Sequence, residues 1–372
     1  MGLFFITVVA FIRAPLLPNI GRDLDMSPTA LGALIAAFAL GRIITDVPAG
    51  RLTDHRAARP MLAIGAIIVA LGSLTGGLAP SSAVALLASF VLGVGSAWTN
   101  TTGIAAFAEA PRERRGVAMS GFAAALMVGQ AIGPTLGGAV ASIWDWRAAF
   151  LVGATIGLAV AAILAMSARG PAVVHGAVAG STSEVGATTL LALYLLPAVQ
   201  FGIGAALIQT LVPIVGDAEL ALSVGTIGLA IGLGGLLRLV GALASGQVSD
   251  RYSRRWALLP GLALQLLGLI VFSLGGAVAN WWAAIILYSL GSSSVNVGAT
   301  VLADLSEGGG LGRRLGVFRL TGDAALLLAP LAGGALYEAF GRGWASIPLI
   351  GFVAAVIVLA FVAIPETVHA HD

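Results

Sequence analysis

Apolar runs of about 20 residues recur along the whole chain, and short polar turns separate them. A helix of about 20 apolar residues crosses the ~30 Å hydrocarbon core of a bilayer, so each run predicts a membrane span. The pattern predicts an all-α membrane protein with twelve transmembrane helices, near residues 3–20, 29–49, 61–79, 84–108, 116–143, 148–167, 188–213, 224–246, 256–275, 281–303, 315–338 and 345–364.

Composition supports this prediction and narrows the function. Only 10% of the 372 residues are charged, against about 25% in soluble domains. Cysteine is absent and the four histidines lie outside the predicted spans. We therefore expect no disulfide, no metal site and no catalytic triad. The sequence also lacks a P-loop and a dinucleotide-binding fingerprint, so we expect neither enzymatic activity nor a cofactor.

The placement of the arginines predicts the orientation. The loops after predicted spans 2, 4, 6, 8 and 10 hold twelve arginines, namely Arg51, Arg56, Arg59, Arg112, Arg114, Arg115, Arg169, Arg251, Arg254, Arg255, Arg313 and Arg314. The opposite loops hold three, namely Arg22, Arg147 and Arg342. Because basic loops stay in the cytoplasm, both termini are expected on the cytoplasmic side. We expect the protein itself in the cytoplasmic (inner) membrane of a bacterium. Arginines at helix ends also explain the sequence pI near 9.5 without a nucleic-acid partner. The apolar start lacks the basic n-region of a cleavable signal peptide.

Two halves repeat each other. A polar linker, residues 168–187, separates a predicted six-helix bundle at 1–167 from a second at 188–372. A shift of 196 residues superimposes these pairs: Arg42 and Arg238, Gly50 and Gly246, Asp54 and Asp250, Arg59 and Arg255, Asn100 and Asn296, Pro134 and Pro330, and Gly137-Gly138 and Gly333-Gly334. Two pseudo-symmetric bundles in parallel repeat are typical of one transporter class, which binds its substrate between the halves near the midplane.

Three motifs carry a family resemblance. "GRLTDHRAAR" (50–59) and "GQVSDRYSRR" (246–255) resemble the loop signature of the major facilitator superfamily. "GQAIGPTLGG" (129–138) is similar to the span-5 motif of its twelve-helix drug:proton antiporters, and "PLLP" (15–18) to the end of their first helix. His55, Ala57 and Ser253 depart from the loop signature. Ser89 stands where proton-coupled relatives often carry an arginine, so coupling through span 4 is not expected by the usual route.

The resemblance implies conformational roles for these motifs. The loop residues, Gly50, Asp54, Arg59, Gly246, Asp250, Arg254 and Arg255, would form a latch that stabilises an outward-open state. The two glycines would permit close helix approach, and the two aspartates would face the N-terminus of a neighbouring helix. Gly133, Pro134, Gly137 and Gly138 would let helices 5 and 8 slide against each other. The alternatives are a topogenic charge cluster and ordinary tight packing.

Six charged residues fall inside the predicted spans: Arg13, Arg42, Asp46, Arg238, Arg319 and Asp323. Asp46 and Arg319 lie roughly 7 Å inside the cytoplasmic ends of spans 2 and 11, and Arg42 and Asp323 roughly 13 Å inside, at ~1.5 Å per residue. The family resemblance implies that helices 2 and 11 meet on the cytoplasmic side, so matched depths and opposite signs predict a two-pair charge gate, Asp46 with Arg319 and Arg42 with Asp323. Two separate intrahelical i,i+4 pairs are the alternative. Asp46 and Asp323 are also candidate proton carriers, or permanent structural partners of the arginines.

Polar residues on the spans that surround the cavity in this family suggest a solute site. The candidates are Arg13, Trp98, Asn100, Gln209, Arg238 and Asn296. Two arginines among amides would suit an anionic or zwitterionic solute. Alternatively, Arg13 snorkels outward, the amides only link helices, and Trp98 packs in the core.

These features predict a secondary transporter that exports a small organic solute by proton-coupled alternating access. The first alternative is uptake or exchange of a small organic anion, which the excess of intramembrane arginine favours. The second is a transporter-like receptor that moves nothing. The predicted transporter would interact with its solute, with protons and with the lipid bilayer, but not with nucleic acid. It would be a monomer.

Overall fold

The computed structural model describes residues 2–53, 57–108, 114–166, 185–306 and 311–366. Within these ranges the chain forms helices and no β-strand. Eleven continuous helical segments are long and apolar enough to cross a membrane in the described part of the chain. They are α1 (Gly2–Asp23), α2 (Pro28–Thr53), α3 (Ala58–Gly77), α4 (Ser82–Ala108), α5 (Arg115–Ile143), α6 (Trp146–Met166), α7 (Ala187–Ala218), α8 (Val224–Arg251), α9 (Arg254–Leu274), α10 (Val278–Asp304) and α11 (Leu311–Ala363).

Segments α1 to α10 overlap the first ten predicted spans, while α11 contains the last two. It runs for 53 residues, which is about 80 Å of helix and far more than the ~30 Å hydrocarbon core requires. Gly341 interrupts it with φ 77° and ψ −179°. Only glycine adopts this backbone conformation without strain. The helix therefore changes course between the two stretches that the sequence predicts as separate spans.

The chain divides into two compact units. The first comprises Met1–Gly176 and Pro213–Gly235, so it contains α1 to α6 and the adjoining ends of α7 and α8. In this unit α2 and α4 touch through their backbones. A Cβ atom at Gly41 would overlap the carbonyl oxygen of Phe90, and one at Gly93 would overlap that of Phe38. Small residues allow this approach, which van der Waals contact stabilises in a membrane.

The second unit comprises Ala177–Val212 and Leu236–Asp372. Its interior holds Tyr288 and Phe272, each at most 2% exposed. The Nε1 atom of Trp281 donates to the carbonyl oxygen of Val212 at 3.1 Å, which joins α10 to α7. Gln265 donates to the carbonyl oxygen of Gly291 at 3.2 Å, which joins α9 to α10. Hydrogen bonds as well as apolar contacts thus hold these helices together.

Three segments depart from regular α-helix. α1 contains a 3₁₀ turn at Ala14–Leu16, and α10 contains another at Ser293–Val295. α7 contains two π-helical stretches, Ala198–Ile203 and Ala205–Leu211. π-helical turns inside α-helices occur frequently at functional sites. All three segments carry residues of the candidate site described below.

Candidate functional site

Two amides meet on the second unit, one from α7 and one from α10. Nε2 of Gln200 donates to Oδ1 of Asn296 at 3.3 Å. Gln200 lies in the first π-helical stretch, and Asn296 follows the 3₁₀ turn of α10. Asn296 is exposed and Gln200 is half-buried. An amide exposed to hydrocarbon would be costly because lipid offers it no hydrogen bond. The pair therefore fits a surface that faces water within the membrane.

Hydrogen bonds of neighbouring residues link Arg238 of α8 to the helices that carry this amide pair. Oγ of Ser293, three residues before Asn296, donates to the carbonyl oxygen of Arg238 at 2.5 Å. The phenol of Tyr288 on α10 lies near the guanidinium. The hydroxyl of Tyr288 in turn donates to the carbonyl oxygen of Val199, next to Gln200, at 2.9 Å. Helices α7, α8 and α10 thus converge on one polar cluster, which we define as Gln200, Arg238 and Asn296.

The glutamine of α7 that contacts Asn296 is not the one that the sequence analysis names. Gln209 is the predicted member of the site, and it lies in the second π-helical stretch, half-buried. It is about 13 Å along the helix from Gln200, at ~1.5 Å per residue. Gln200 is the residue that reaches Asn296. Both glutamines carry the same signal, an amide within an apolar run, and the sequence alone favours neither.

In the first unit, the polar residues of α4 bind neighbouring helices. Oγ1 of Thr101 donates to Oδ1 of Asp46 on α2 at 3.0 Å. Oγ1 of Thr102 lies 3.2 Å from Oγ1 of Thr53. Oδ1 of Asn100 is buried and has no hydrogen-bond donor among the described residues. Oδ1 of Asn100 is therefore a buried acceptor without a donor among the described residues, whereas its two neighbours hold α4 against α2.

Trp98 packs away from Asn100, onto α3. Its Nε1 atom donates to the carbonyl oxygen of Met61 at 2.9 Å. A Cβ atom at Gly65 would lie 3.1 Å from its Cδ1 atom. The indole thus has a hydrogen-bond partner and a tight wall within the bundle, which favours helix packing over solute stacking.

Arg13 lies in the interior of the first unit and is 3% exposed. Its guanidinium carbon stands 4.0 Å from the ring centre of Phe38, a cation–π contact. Nε and Nη1 have no hydrogen-bond partner among the described residues. The side chain lines a cavity of about 10 Å³, together with Ser89 and Trp146. Such a space holds about one water molecule, so it is too small for an organic solute. Arg13 does not snorkel outward either.

The four residues of the predicted charge gate occupy different environments. Asp323 is buried, at 9% exposure. Asp46 and Arg42 are half-buried, and Arg319 is exposed. Thr101 is a hydrogen-bond partner of Asp46 that the sequence does not indicate. The pairing of α2 charges with α11 charges stays a prediction.

In the second loop motif, Arg254 is the centre of the contacts. Its Nη1 atom lies 3.1 Å from Oδ1 of Asp250 and 2.7 Å from Oγ of Ser249. Its Nε atom lies 3.3 Å from Oδ2 of Asp304, at the end of α10. The sequence predicts that Asp250 faces the N-terminus of a neighbouring helix. In the structure it pairs with Arg254, one turn further along the chain, and its side chain is 76% exposed.

The carboxylate at the N-terminus of α9 is that of Glu366 and not that of Asp250. It accepts from the backbone nitrogen of Arg254 at 2.9 Å and from that of Arg255 at 3.3 Å, and it contacts the hydroxyl of Ser253. Ser253 is also the N-cap, since its Oγ accepts from the backbone nitrogens of Arg255 and Trp256. Ser253, which departs from the loop signature, therefore caps α9.

The loop glycines do not show the expected close approach. A Cβ atom at Gly246 would meet no atom of the described residues within 4 Å, and one at Gly50 would meet only Cγ2 of Thr101 at 3.8 Å. Asp54, His55 and Arg56 lie outside the described residues. Arg59 is exposed on the first turn of α3, whose N-cap, Ala57, makes no side-chain cap. The two copies of the motif therefore cap their helices differently.

The glycine motif of α5 contacts two helices. Gly133 and Gly137 face α1, where added Cβ atoms would meet the carbonyl oxygens of Val8 and Ile12. A Cβ atom at Gly138 would lie 2.7 Å from the carbonyl oxygen of Val224 on α8.

The α8 side of this contact is also glycine. A Cβ atom at Gly228 would lie 2.5 Å from the carbonyl oxygen of Pro134. Helices α5 and α8 therefore pack backbone against backbone, and whether they slide against each other stays a prediction.

An ion pair joins the ends of α1 and α7. Nη1 of Arg22 lies 2.7 Å from Oδ1 and 2.6 Å from Oδ2 of Asp217. Next to Arg22, the carboxylate of Asp23 accepts from Nε1 of Trp146 at 2.6 Å. Both acids lie in the last turn of a helix, and the sequence gives no reason to expect these contacts. Together with the α5–α8 contact, the ion pair ties α7 and α8 to α1 and α5 at this end of the helices.

The sequence is similar to that of known membrane transporters. The family model described as Major Facilitator Superfamily matches residues 1–217 and 190–372. The multidrug resistance protein Stp of Mycobacterium tuberculosis (strain ATCC 25618 / H37Rv) is 34% identical over 161 residues, which is 42% of this chain and 30% of Stp. The cephamycin export protein CmcT of Amycolatopsis lactamdurans is 32% identical over 159 residues, which is 42% of this chain and 32% of CmcT. The match thus spans about a third of these relatives.

Solved structures match over nearly the whole chain. A bacterial homologue of the human lysosomal transporter Spinster, in an inward-facing and occupied conformation, has a TM-score of 0.82 at 18% identity, over 97% of this chain and 94% of that one. A D-xylose–proton symporter has a TM-score of 0.78 at 15% identity, over 98% of this chain and 96% of that one. The family match and the shared fold agree with the motifs, and the chain belongs to the Major Facilitator Superfamily of membrane transporters.

Proposed function

We propose that this transporter exports a small organic solute in exchange for protons. The backbone contact of α5 with α8 through Gly138 and Gly228 carries the proposal. It involves the motif that resembles the span-5 motif of drug:proton antiporters. Two similar proteins, named for multidrug resistance and for cephamycin export, agree with export. We further propose twelve spans, with α11 divided at Gly341, and cytoplasmic termini in a bacterial inner membrane.

The polar cluster is the proposed solute-contacting surface of the second unit. Gln200 and Asn296 each offer a carbonyl acceptor and an amide donor, and they already bind each other at 3.3 Å. A solute group that inserts between them could replace that bond on both sides. Arg238 adds a positive charge beside them. Asn100, whose Oδ1 atom lacks a donor among the described residues, is the proposed contact in the first unit.

Alternating access requires contacts that form in one state and break in another. The Arg22–Asp217 ion pair and the α5–α8 contact are the proposed closing contacts at their end of the helices. The orientation predicted from the arginines makes this the outer end.

Asp46 and Asp323 are the proposed proton carriers, because they are the carboxylates that lie furthest inside their spans. The hydroxyl of Thr101 donates to Asp46 at 3.0 Å, so this carboxylate has a partner on α4. Asp323 is 9% exposed and therefore shielded from water. A carrier must change its contacts between loading and release, so each aspartate should bind different partners in the opposite state.

Uptake or exchange of an organic anion is the second candidate function. Arg238 beside the two amides favours it, because a fixed guanidinium binds carboxylates and phosphates well. One experiment separates the candidates. The purified chain is reconstituted in proteoliposomes, and solute flux is measured with and without an imposed pH gradient, for cationic, neutral and anionic solutes. Export of cationic or neutral solutes that stops without the gradient supports the first proposal. Anion flux that ignores the gradient supports the second.

A further inference from the structure

A groove on the surface of the second unit ends at Arg255. It lies between α9 and the last part of α11, and its volume is about 580 Å³. Apart from Arg255, all its lining side chains are apolar, and they are Trp256, Leu259, Pro260, Ala263, Ile357, Val358 and Phe361. Ligand pockets in proteins have volumes of roughly 300–1,000 Å³. The groove is therefore large enough for a sizeable apolar group.

The guanidinium of Arg255 is held at the mouth of this groove. Its Nε atom donates to the carbonyl oxygen of Ile364 at 2.9 Å, so α9 and the end of α11 are joined there. Its two terminal nitrogens donate to no residue in the ranges that the structure describes. Trp256, 73% exposed, stands beside it. Tryptophan is enriched at the membrane–water interface, which places the arginine at headgroup level.

The other charges near Arg255 already have partners. Glu366 accepts from backbone nitrogens at the start of α9. Arg254 binds Asp250 and Asp304. Among the described residues, the terminal nitrogens of Arg255 therefore leave a local positive charge at the end of an apolar groove.

We propose that this groove binds an anionic glycerophospholipid. The terminal nitrogens of Arg255 hold the phosphate, and one acyl chain lies along α9 toward Ala263. Arginine offers two parallel N–H groups that match two phosphate oxygens. The groove follows α9 for about 12 Å, at ~1.5 Å per residue, so a chain that leaves the phosphate runs into the bilayer beside the helix. The apolar walls bury hydrocarbon and offer no competing polar group.

The test measures lipid retention on the purified full-length chain in detergent. Native mass spectrometry and thermal unfolding are recorded with added phosphatidylglycerol, with phosphatidylcholine of the same acyl chains, and with inorganic phosphate. We expect several-fold higher retention of phosphatidylglycerol than of phosphatidylcholine. We also expect phosphatidylglycerol to raise the unfolding temperature, whereas phosphatidylcholine and inorganic phosphate should not.

Three variants locate the site. Arg255→Ala removes the phosphate contact, and we expect it to reduce phosphatidylglycerol retention at least several-fold. Arg251→Ala, which removes an exposed arginine that does not line the groove, is the matched control and should bind as the unaltered chain does. Ala263→Trp fills the groove from an exposed position and should reduce retention while Arg255 stays in place.

Several outcomes would overturn the proposal. One is equal retention of the two lipids. Another is an equal loss in the two arginine variants. Protection by inorganic phosphate alone would assign Arg255 to a free anion, and normal retention in Ala263→Trp would remove the acyl chain from the groove. If Arg255→Ala does not fold, Arg255→Lys keeps the charge without the paired N–H groups and should retain lipid at an intermediate level.

Discussion

Arg22 and Asp217 form a two-point ion pair, with Nη1 of the arginine 2.7 and 2.6 Å from the two carboxylate oxygens. The pair joins the last turns of α1 and α7, the helices that begin the two halves of the repeat. The arginine side chain is 59% exposed, so the pair contributes little to folding, about 0–1 kcal/mol. Its importance would lie in the equilibrium between transport states, which a difference of that size can shift.

The first prediction is that Asp217→Asn increases the separation of these helix ends. Because the chain has no cysteine, cysteines introduced at Ser27 and Ser223 can carry spin labels without a background signal. We expect longer distances in Asp217→Asn than in the parent. The exchanged pair Arg22→Asp with Asp217→Arg should restore the shorter ones.

Asp145→Asn, which removes another exposed acid at this end of the helices, serves as control. An unchanged distance distribution in Asp217→Asn would contradict a closing role for the ion pair.

The second prediction concerns the contact of α5 with α8. Gly138→Leu and Gly228→Leu would each drive a side chain into the opposite backbone, because even a Cβ atom would lie within 3 Å of a carbonyl oxygen. Overpacking of this kind costs about 1–3 kcal/mol. We expect lower unfolding temperatures and loss of transport. Gly351→Leu adds the same side chain where no described atom lies within 4 Å of the new Cβ, and it should do neither. Normal transport in both test variants would remove the contact from the mechanism.

The sequence predicts where the helices of this protein lie along the chain better than it predicts which face of each helix is buried. Ten spans agree with the structure because runs of apolar residues report length directly. The α5–α8 contact was predictable because glycines mark where backbones can approach. The location of Arg13 inside its own unit was not predictable. A helix that is apolar on all faces carries no period that shows which face is buried.

Contacts between distant polar groups were also hidden. Arg22 and Asp217 are 195 residues apart, and Glu366 lies 112 residues from Arg254. Each is a charged residue in a turn, the usual position for a residue that faces water. Only the three-dimensional arrangement of helix ends brings them together, so nothing in the local sequence distinguishes them from their neighbours.

The third prediction tests the polar cluster. Asn296→Ala removes the partner of Gln200 and, by the proposal, one solute contact. A lost hydrogen bond of about 1–1.5 kcal/mol lowers apparent affinity roughly 5–10-fold. We expect that loss in the solute concentration at half-maximal flux, with a similar loss in Gln200→Ala. The double variant should lose less than the two single losses combined, because the residues share one bond. Ser273→Ala on α9 is the control, and strictly additive losses would argue against a joint site.

The fourth prediction concerns the charge gate. If Asp46 pairs with Arg319 during the cycle, Asp46→Arg and Arg319→Asp should each impair transport, and the double variant should transport better than either. Thr101→Val separates this role from the observed hydrogen bond, because it removes the 3.0 Å contact with Asp46 and leaves the charge. A double variant that transports no better than the single ones would contradict the cross-helix pair.

The fifth prediction concerns the carboxylate at the start of α9. Glu366→Gln keeps the size of the side chain but removes the charge that faces two backbone N–H groups and the hydroxyl of Ser253. A negative charge at a helix N-terminus contributes about 0.3–1 kcal/mol, and a serine cap about 1 kcal/mol. We therefore expect a small fall in unfolding temperature for Glu366→Gln and a larger fall for Ser253→Ala, which loses the cap as well as its bond to Glu366. Asp25→Asn, a charge removal at an exposed residue elsewhere in the chain, is the comparison. An unfolding temperature that falls equally in Asp25→Asn would mean that net charge, rather than the cap, determines the effect.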